Sequence, residues 1–296
     1  MSTLICFGLG YSARRYIADF GGYWGRIIVT KREAGPLDSF DDIAGRRFEA
    51  QIFDGSSAPP ALRAAVEQAD AVLSSIPPAD GRDPVLAHFR HVLANRPRQV
   101  VYLSTIGVYG DHAGGFVDEA TTPRPASQRS VMRLSAENAW SELGRRTGQP
   151  AAIFRIAGIY GPGRNVLLNL AKGKASRIIK PGQVFNRIHV ADLAQAINAA
   201  FTHNKSGLYN IADDLPAPAS DVVRYAAELL RMSPPPEVLY SDARISMPEM
   251  ARSFYEENKR ARNDKLKREL GVQLLYPTYR DGLSALCAAG DHTFIR

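Results

Sequence analysis

Short runs of apolar, β-branched residues recur through the first half of the chain, at 4–7, 26–30, 51–53, 71–76, 99–104 and 151–156, with amphipathic stretches between them. Such alternation predicts parallel strands joined by crossover helices. The runs are nearly continuous in Val, Ile and Leu rather than alternating with polar residues, so helices are expected over both faces of the sheet. The clearest helix is predicted over 131–146, where Met132, Ala136, Ala139, Trp140 and Leu143 form one apolar stripe opposite a charged face. Past Ile156 the rhythm changes. Gly161-Pro162-Gly163 and Pro234-Pro235-Pro236 mark loops, helical pieces follow, and a smaller second lobe is expected there. The stretch 192–201 puts Leu193, Ile197, Ala200 and Phe201 on one helical face and is expected to return to the first lobe. The predicted division is 1–157 plus 189–206 for a doubly wound α/β domain, and 158–188 plus 207–296 for the second lobe.

Composition supports a globular chain and excludes fibrous, disordered and coiled-coil classes: of 296 residues 45% are apolar and 23% charged. Lys and Arg outnumber Asp and Glu by 37 to 30, a net charge of +7 that favours anionic ligands in general without implying nucleic acid. The two cysteines, Cys6 and Cys287, lie at opposite ends in apolar surroundings, so no disulfide framework is expected. The chain opens directly into a strand-like run and holds no long uninterrupted apolar stretch, which predicts a cytoplasmic protein without a membrane span.

The strongest local motif is Gly8-Leu9-Gly10-Tyr11-Ser12-Ala13, placed after the first strand and opening a helix. The first glycine permits a tight turn, the second lets backbone N–H groups approach a pyrophosphate, and Ala13 allows close helix–strand packing. The motif predicts a dinucleotide site, with Tyr11 and Ser12 in the phosphate-binding first turn. An acidic residue usually ends the second strand of an NAD site, where it accepts from the ribose hydroxyls. Here Thr30-Lys31-Arg32 stands there, and the cationic Lys31 and Arg32 suit a 2′-phosphate, so NADP is expected over NAD. Asp54, beyond the third strand, is a candidate at the adenine. Ser75, Ile76 and Pro77, beyond the fourth, are candidates along the middle of the cofactor, because ligands of such sheets bind past the carboxyl ends of the strands.

Four further motifs follow in order: Ser104-Thr105-Ile106-Gly107-Val108-Tyr109-Gly110, Arg155-Ile156-Ala157-Gly158-Ile159-Tyr160-Gly161-Pro162-Gly163, Arg187-Ile188-His189-Val190-Ala191-Asp192-Leu193 and Tyr209-Asn210-Ile211-Ala212. Together they resemble the extended short-chain dehydrogenases/reductases, the family of NAD(P)-dependent sugar epimerases and dehydratases. The resemblance spans almost the whole chain. It implies an NAD(P)-binding Rossmann-like domain with a smaller C-terminal substrate lobe, a small-molecule substrate, and often a homodimer formed through helices flanking the sheet.

In that family a Tyr and a Lys four residues apart follow the Ser/Thr of the fifth strand by some two dozen positions. The phenol transfers a proton, and the ammonium assists it while binding ribose. Alignment puts Arg129 at the Tyr position and Arg133 at the Lys position. Spaced i and i+4, both can face the cleft. Arg133 can replace the Lys as a ribose ligand. Arg129 can polarise a carbonyl or clamp a carboxylate, but a guanidinium keeps its proton at neutral pH and cannot act as a base. Thr105 matches the family Ser/Thr and is the candidate partner of the reacting oxygen. Should a proton be transferred, Tyr109 and Tyr160 are the candidate replacement phenols, although core packing is the role first expected of both.

Two departures narrow the substrate. Ile106-Gly107 replaces the Asp-Glu of the 4,6-dehydratases, which disfavours that mechanism. Phe185 stands where sugar-nucleotide epimerases carry an Arg for the diphosphate, and Arg187, on the same strand face, can compensate. The resemblance therefore implies hydride transfer, as an oxidoreductase or epimerase, on a small hydroxyl or carbonyl compound, sugar-derived ones included, with a UDP-sugar the less favoured substrate. A non-catalytic NADP(H)-binding sensor is the alternative that the missing Tyr raises.

Three features are expected to carry no chemistry. His88 and His91 lack a third metal ligand, so no metal site is expected. His189 is expected to pack between the lobes and Asp192 to cap a helix. The basic run at 259–268 reads as a solvated amphipathic helix rather than a nucleic-acid surface.

Overall fold

A computed structural model of the chain describes residues 2–33, 42–95, 98–148 and 151–293. Seven strands form one central sheet: β1 (Thr3–Phe7), β2 (Arg26–Lys31), β3 (Glu49–Ile52), β4 (Ala71–Ser74), β5 (Gln99–Thr105), β6 (Ala151–Ile156) and β7 (Gly207–Ile211). Their order across the sheet is β7-β6-β5-β4-β1-β2-β3, and every neighbouring pair is parallel. This is the Rossmann-like doubly wound arrangement, extended by a seventh strand.

The helices are α1 (Tyr11–Phe20), α2 (Pro60–Gln68), α3 (Pro84–Ala94), α4 (Gln128–Thr147), α5 (Val166–Ala171), α6 (Val190–Thr202), α7 (Ala219–Leu229), α8 (Tyr240–Ser246), α9 (Glu249–Glu256), α10 (Asp264–Leu270) and α11 (Tyr279–Ala288). Adjacent residues of a strand face opposite ways, so β1 sends Leu4 and Cys6 to one core layer and Ile5 and Phe7 to the other. On the first face Tyr16 and Ile17 of α1 pack with Leu193 and Ile197 of α6 and with Leu266 and Leu270 of α10. Leu62 of α2, Phe89 of α3 and Trp140 of α4 cover the second. Both faces are dry, which is why the strands read as continuous apolar runs.

Local chemistry sets the element ends. Ser127 Oγ accepts the Ser130 N–H at 3.2 Å and starts α4, which stops at Gly148 in the left-handed region (φ 64°). The Asp83 carboxylate caps α3 through the Leu86 N–H at 2.9 Å and also accepts the Trp140 indole N–H at 3.0 Å, joining two helices of one face.

The second lobe has its own core, in which Leu167 and Leu170 of α5, Val222 and Ala226 of α7 and Leu283 of α11 surround Tyr160. Two short parallel pairs attach to it: Gly158–Tyr160 with Arg187–His189, and Arg177–Ile179 with Glu237–Leu239. The expected lobe boundary needs correction at one point. Gly207–Ile211, assigned from sequence to the second lobe, is an edge strand of the central sheet beside β6, and α10 packs back beneath it.

The expectation for 259–268 also changes. Only Asp264–Leu270 is helical, while Arg260–Ala261 pairs with Phe116–Val117 and Lys259 is buried. Asp192 sits in the first turn of α6, but its carboxylate accepts the Leu275 and Tyr276 N–H groups at 2.7 and 3.1 Å and anchors the segment before α11. His189 caps α6 instead, its Nδ1 accepting from Ala191 N at 3.2 Å, and its ring lies against Tyr160 and Tyr276. No helix among the described residues is long and apolar enough to cross a membrane.

Candidate functional site

The chain leaves β1 toward one side of the sheet and β4 toward the other, so a crevice opens at their C-terminal ends. Gly8 follows β1 with φ +93°, and its N–H donates to Thr30 Oγ1 at 2.9 Å. A Cβ on Gly8 would come within 2.8 Å of both Ile76 Cγ2 and Ser75 Oγ, so the position admits only glycine. Ser75 Oγ donates to the carbonyl oxygens of Phe7 and Gly8, each at 3.0 Å, and pins the end of β4 to this turn.

Gly10 has different surroundings. A Cβ there would meet no atom within 4 Å. Gly10 precedes α1 with no side chain capping the helix and no acidic residue in its first turn. Open N–H groups at a helix start, beside space that a side chain would have filled, suit a phosphate. Ala13 is fully buried against the sheet, which lets α1 approach it closely. The residues present therefore fit the pyrophosphate of a dinucleotide.

The remaining cofactor candidates are spread more widely. The Tyr11 hydroxyl donates to the Pro162 carbonyl at 2.9 Å, with the Arg164 guanidinium 5.7 Å from its ring, so this side chain bridges the lobes. Lys31 ends β2, and its carbonyl accepts the Phe53 N–H at 2.8 Å. Arg32, Asp54 and Pro77 are exposed beyond β2, β3 and β4. Asp54 Oδ1 accepts from the Ser56 hydroxyl and N–H at 2.7 and 2.8 Å, which holds its carboxyl below the usual range.

One cavity of about 810 Å³ runs from Gly10, Tyr11, Ser12 and Ser75 past Thr105 to the second lobe. Lys31, Arg32, Asp54 and Pro77 lie outside it. Thr105 Oγ1 accepts the Gly107 N–H at 3.1 Å, so its hydroxyl proton is available to a ligand oxygen. Arg129 and Arg133, one turn apart on α4, both line the cavity. Arg133 Nη1 donates to the Leu103 carbonyl at 2.8 Å and the Tyr102 hydroxyl at 3.1 Å, fixing the guanidinium against β5. Arg129 is exposed, with its guanidinium 5.5 Å from the Phe254 ring centre.

Beneath Thr105 lies a buried polar network. Ser104 Oγ donates to Glu137 Oε1 at 2.6 Å, and Arg155 Nη2 reaches Glu137 Oε2 at 2.8 Å. The Arg155 guanidinium stacks 4.7 Å from the Tyr109 ring, and the Tyr109 hydroxyl donates to Asn210 Oδ1 at 2.8 Å. This network joins β5, β6, β7 and α4 under the cavity floor.

It also corrects the candidate phenols. Tyr109 is fully buried in this network, outside the cavity, because the short 3-10 turn Ile106–Tyr109 carries its ring under the sheet end. Tyr160 does line the cavity, but its hydroxyl points into the second lobe, donating to the Thr278 carbonyl at 3.4 Å. A Cβ on Gly282 would fall 2.1 Å from that hydroxyl oxygen, so α11 closes over it. Burial raises both phenols above their ordinary range. Arg187 is on the cavity wall, with Nη1 donating to the Phe185 and Ala217 carbonyls at 2.9 and 3.1 Å.

Two features of the cavity were missed from sequence. Tyr255 on α9 lines it, packed edge-on to Phe185 at 5.0 Å and stacked on Tyr240 at 4.9 Å. Burial raises its phenol, and the Arg187 charge partly offsets that shift. Lys259 also lines it, its ammonium donating to the Gly110 carbonyl at 2.6 Å and to Glu257 Oε2 at 2.5 Å, with its pKa lowered by burial. Lys259 was legible as part of a basic run, but its burial depends on residues some 150 positions away in sequence. Among the described residues no His/Cys/Asp/Glu group could hold a metal ion.

The architecture and the glycine turn define an α/β protein with a Rossmann-like nucleotide-binding fold. Residues 81–212 match the family described as the NAD dependent epimerase/dehydratase family. A conserved protein of unknown function from Silicibacter pomeroyi DSS superposes with a TM-score of 0.85, at 42% identity, over 98% of this chain and 99% of that one. Protein YeeZ of Escherichia coli (strain K12) is 36% identical over 146 residues, 48% of this chain and 50% of that protein. The chain thus spans about half the length of the curated relatives it matches. The dTDP-glucose 4,6-dehydratase of Bacillus anthracis str. Ames, solved in complex with NAD, has a TM-score of 0.78 at 17% identity over 99% of this chain and 98% of that one, a likeness of fold. The family match covers just under half of the chain, and the chain as a whole shares the fold of that dehydratase.

Proposed function

We propose that this protein is an NADP(H)-dependent oxidoreductase acting on a small carbonyl or hydroxyl compound. The observation that carries the reading is one cavity that starts at the open N-terminus of α1 beside Gly10 and passes Thr105, Arg129 and Arg133 on its way to the second lobe. The turn at 8–13 would hold the pyrophosphate, Arg32 with Lys31 the 2′-phosphate, and Arg133 the nicotinamide ribose. Its Nη1 is tied to β5, which leaves the rest of the fork as donors. A bound nicotinamide supplies or accepts a hydride at the substrate carbon. Thr105 orients the reacting oxygen by donating its hydroxyl proton in a hydrogen bond. Ile106 and Gly107 line the same wall and cannot protonate a leaving hydroxyl, so dehydration is disfavoured.

A mixture of NADPH with short aldehydes, 2-oxo acids and aromatic ketones tests this reading. Consumption of NADPH that depends on one of these compounds, and that Thr105→Val reduces about 100-fold, is the expected result. A specific observation favours the second reading, a non-catalytic sensor: the hydroxyls of Tyr109 and Tyr160 are committed elsewhere, and the sequence alignment puts Arg129 where the family phenol is expected. Tight NADPH binding without turnover across the panel would select that alternative.

A further inference from the structure

We propose that the end of the cavity beyond Thr105 accepts a small aromatic acid, with its carboxylate gripped by Arg187 and Arg129 and its ring lying against Phe254 and Tyr255. This rests on the cofactor-plus-substrate reading given above and deepens it by naming the substrate class.

Charge is the first argument. The ammonium of Lys259 is matched by Glu257, and the Arg133 fork is anchored on β5. Among the described residues neither Arg129 nor Arg187 has a carboxylate at ion-pair distance. Arg129 contacts an aromatic ring, and Arg187 holds two backbone carbonyls. Both arginines line the cavity. Asp213 is the carboxyl with the largest charge influence on Arg187, and burial raises it toward its neutral form, which weakens that influence.

Geometry is the second. The two Arg187 bonds run from Nη1 to carbonyl oxygens that a carboxylate does not displace, which fixes the guanidinium and leaves Nε and Nη2 as donors. Paired N–H donors on a fixed fork match the two oxygens of a carboxylate. Arg129 stacks on Phe254, and Phe254 adjoins Tyr255, whose ring meets Phe185. The cations therefore stand beside aromatic walls on α9.

Space is the third. The whole cavity measures about 810 Å³ and must also take the reactive end of the cofactor. A volume in the range of roughly 300–1,000 Å³ suits one drug-sized ligand. Shared with the cofactor, that space suits a single ring with an acidic arm better than a nucleotide sugar.

Calorimetric titration tests the proposal, with 4-hydroxybenzoate and phenylpyruvate as acids, 4-hydroxybenzyl alcohol as the neutral counterpart and UDP-glucose as the nucleotide sugar. Each is added to the full chain with and without saturating NADPH. The acids are expected to bind at least about tenfold tighter than the alcohol and tighter than UDP-glucose. Arg129→Leu, at an exposed position in the first turn of α4, should remove most of that preference, and Arg187→Met should remove it as well. If Arg187→Met fails to fold, the wild-type comparison and Arg129→Leu decide. Acids binding no better than the alcohol, or UDP-glucose binding best, overturns the proposal. The two readings fail separately. Arg129-dependent acid binding by a protein that ignores NADPH would remove the oxidoreductase reading and keep the acid site, whereas NADPH binding without acid preference would do the reverse.

Discussion

At the N-terminus of α1 the open donors are backbone N–H groups, whereas around Thr105 they are side chains, and the two ends of the cavity match the family motifs to different degrees. The glycine turn is held by sterics. Gly8 cannot carry a Cβ, Gly10 must leave its space empty, and Ser75 locks the strand beside them. The reactive end depends on which functional group each side chain presents. There the hydroxyl of Thr105 shares the cavity with Arg129 and Arg133, at the positions where the sequence resemblance leads one to expect a phenol and an ammonium. A backbone cradle is lost by adding atoms, but a side-chain site can be rewritten without disturbing the scaffold. The comparison explains how a dinucleotide site and an altered chemistry can share one cavity.

The largest expected effect comes from breaking the support beneath the rewritten end. Arg155→Met leaves the buried Glu137 carboxylate without its partner, and removing one member of such a pair costs about 3–5 kcal/mol. Urea unfolding should show the midpoint fall accordingly. An unchanged midpoint would mean the network does not hold β5, β6 and α4 together.

Gly8→Val attacks the other end by placing atoms where Ile76 and Ser75 already stand. NADPH affinity is expected to fall by about 100-fold or more, measured by quenching of protein fluorescence. Retention of wild-type affinity would show that the turn does not cradle the cofactor. Arg32→Glu is milder: NADPH should weaken by about 10- to 100-fold and NADH by far less. Equal losses for the two coenzymes would remove Arg32 from the 2′-phosphate site.

A pH series sharpens the picture near Arg187. Asp213, buried behind the substrate end, holds its proton up to about pH 8, against an ordinary value of 3.8. The unfolded chain releases that proton at lower pH than the folded one does, so stability should fall as pH rises from about 4 to about 8. Asp213→Asn keeps a neutral polar group there. It should flatten this slope and raise the melting temperature at pH 8 by a few degrees, roughly 2–4 °C for each kcal/mol recovered. A slope that survives in the variant would assign it to other groups.

The smallest effect belongs to Tyr109→Phe. Loss of its hydrogen bond to Asn210 should cost about 1 kcal/mol of stability and leave steady-state turnover alone. A large drop in turnover would return this phenol to the chemistry.

Much of the scaffold was legible because its signals are local. The apolar runs of β1, β2, β4, β5 and β6 and the glycine turn are read within a few residues. Gly207–Ile211 was assigned to the second lobe because its partner, Ala151–Ile156, lies more than 50 residues earlier and nothing in its own five residues says which sheet it joins. The orientation of the candidate phenols was open for a related reason. A tyrosine beside a glycine in a loop motif can face either way, and the turn after Thr105 sends Tyr109 under the sheet while α11 covers the hydroxyl of Tyr160. Tyr255 and Lys259 reach the cavity only because the C-terminal segment folds back across it. Asn186 secures that segment by donating to the Lys259 carbonyl at 2.9 Å and accepting the Ala261 N–H at 2.8 Å.

The central claim is that the turn between β1 and α1 holds the paired phosphates of a nicotinamide dinucleotide. Titrating the purified wild-type chain with NADPH and NADH, followed by quenching of the fluorescence of Trp24 and Trp140, tests it most directly. Saturable binding of both, with NADPH the tighter, is expected. Failure of either coenzyme to bind at millimolar concentration would contradict the account.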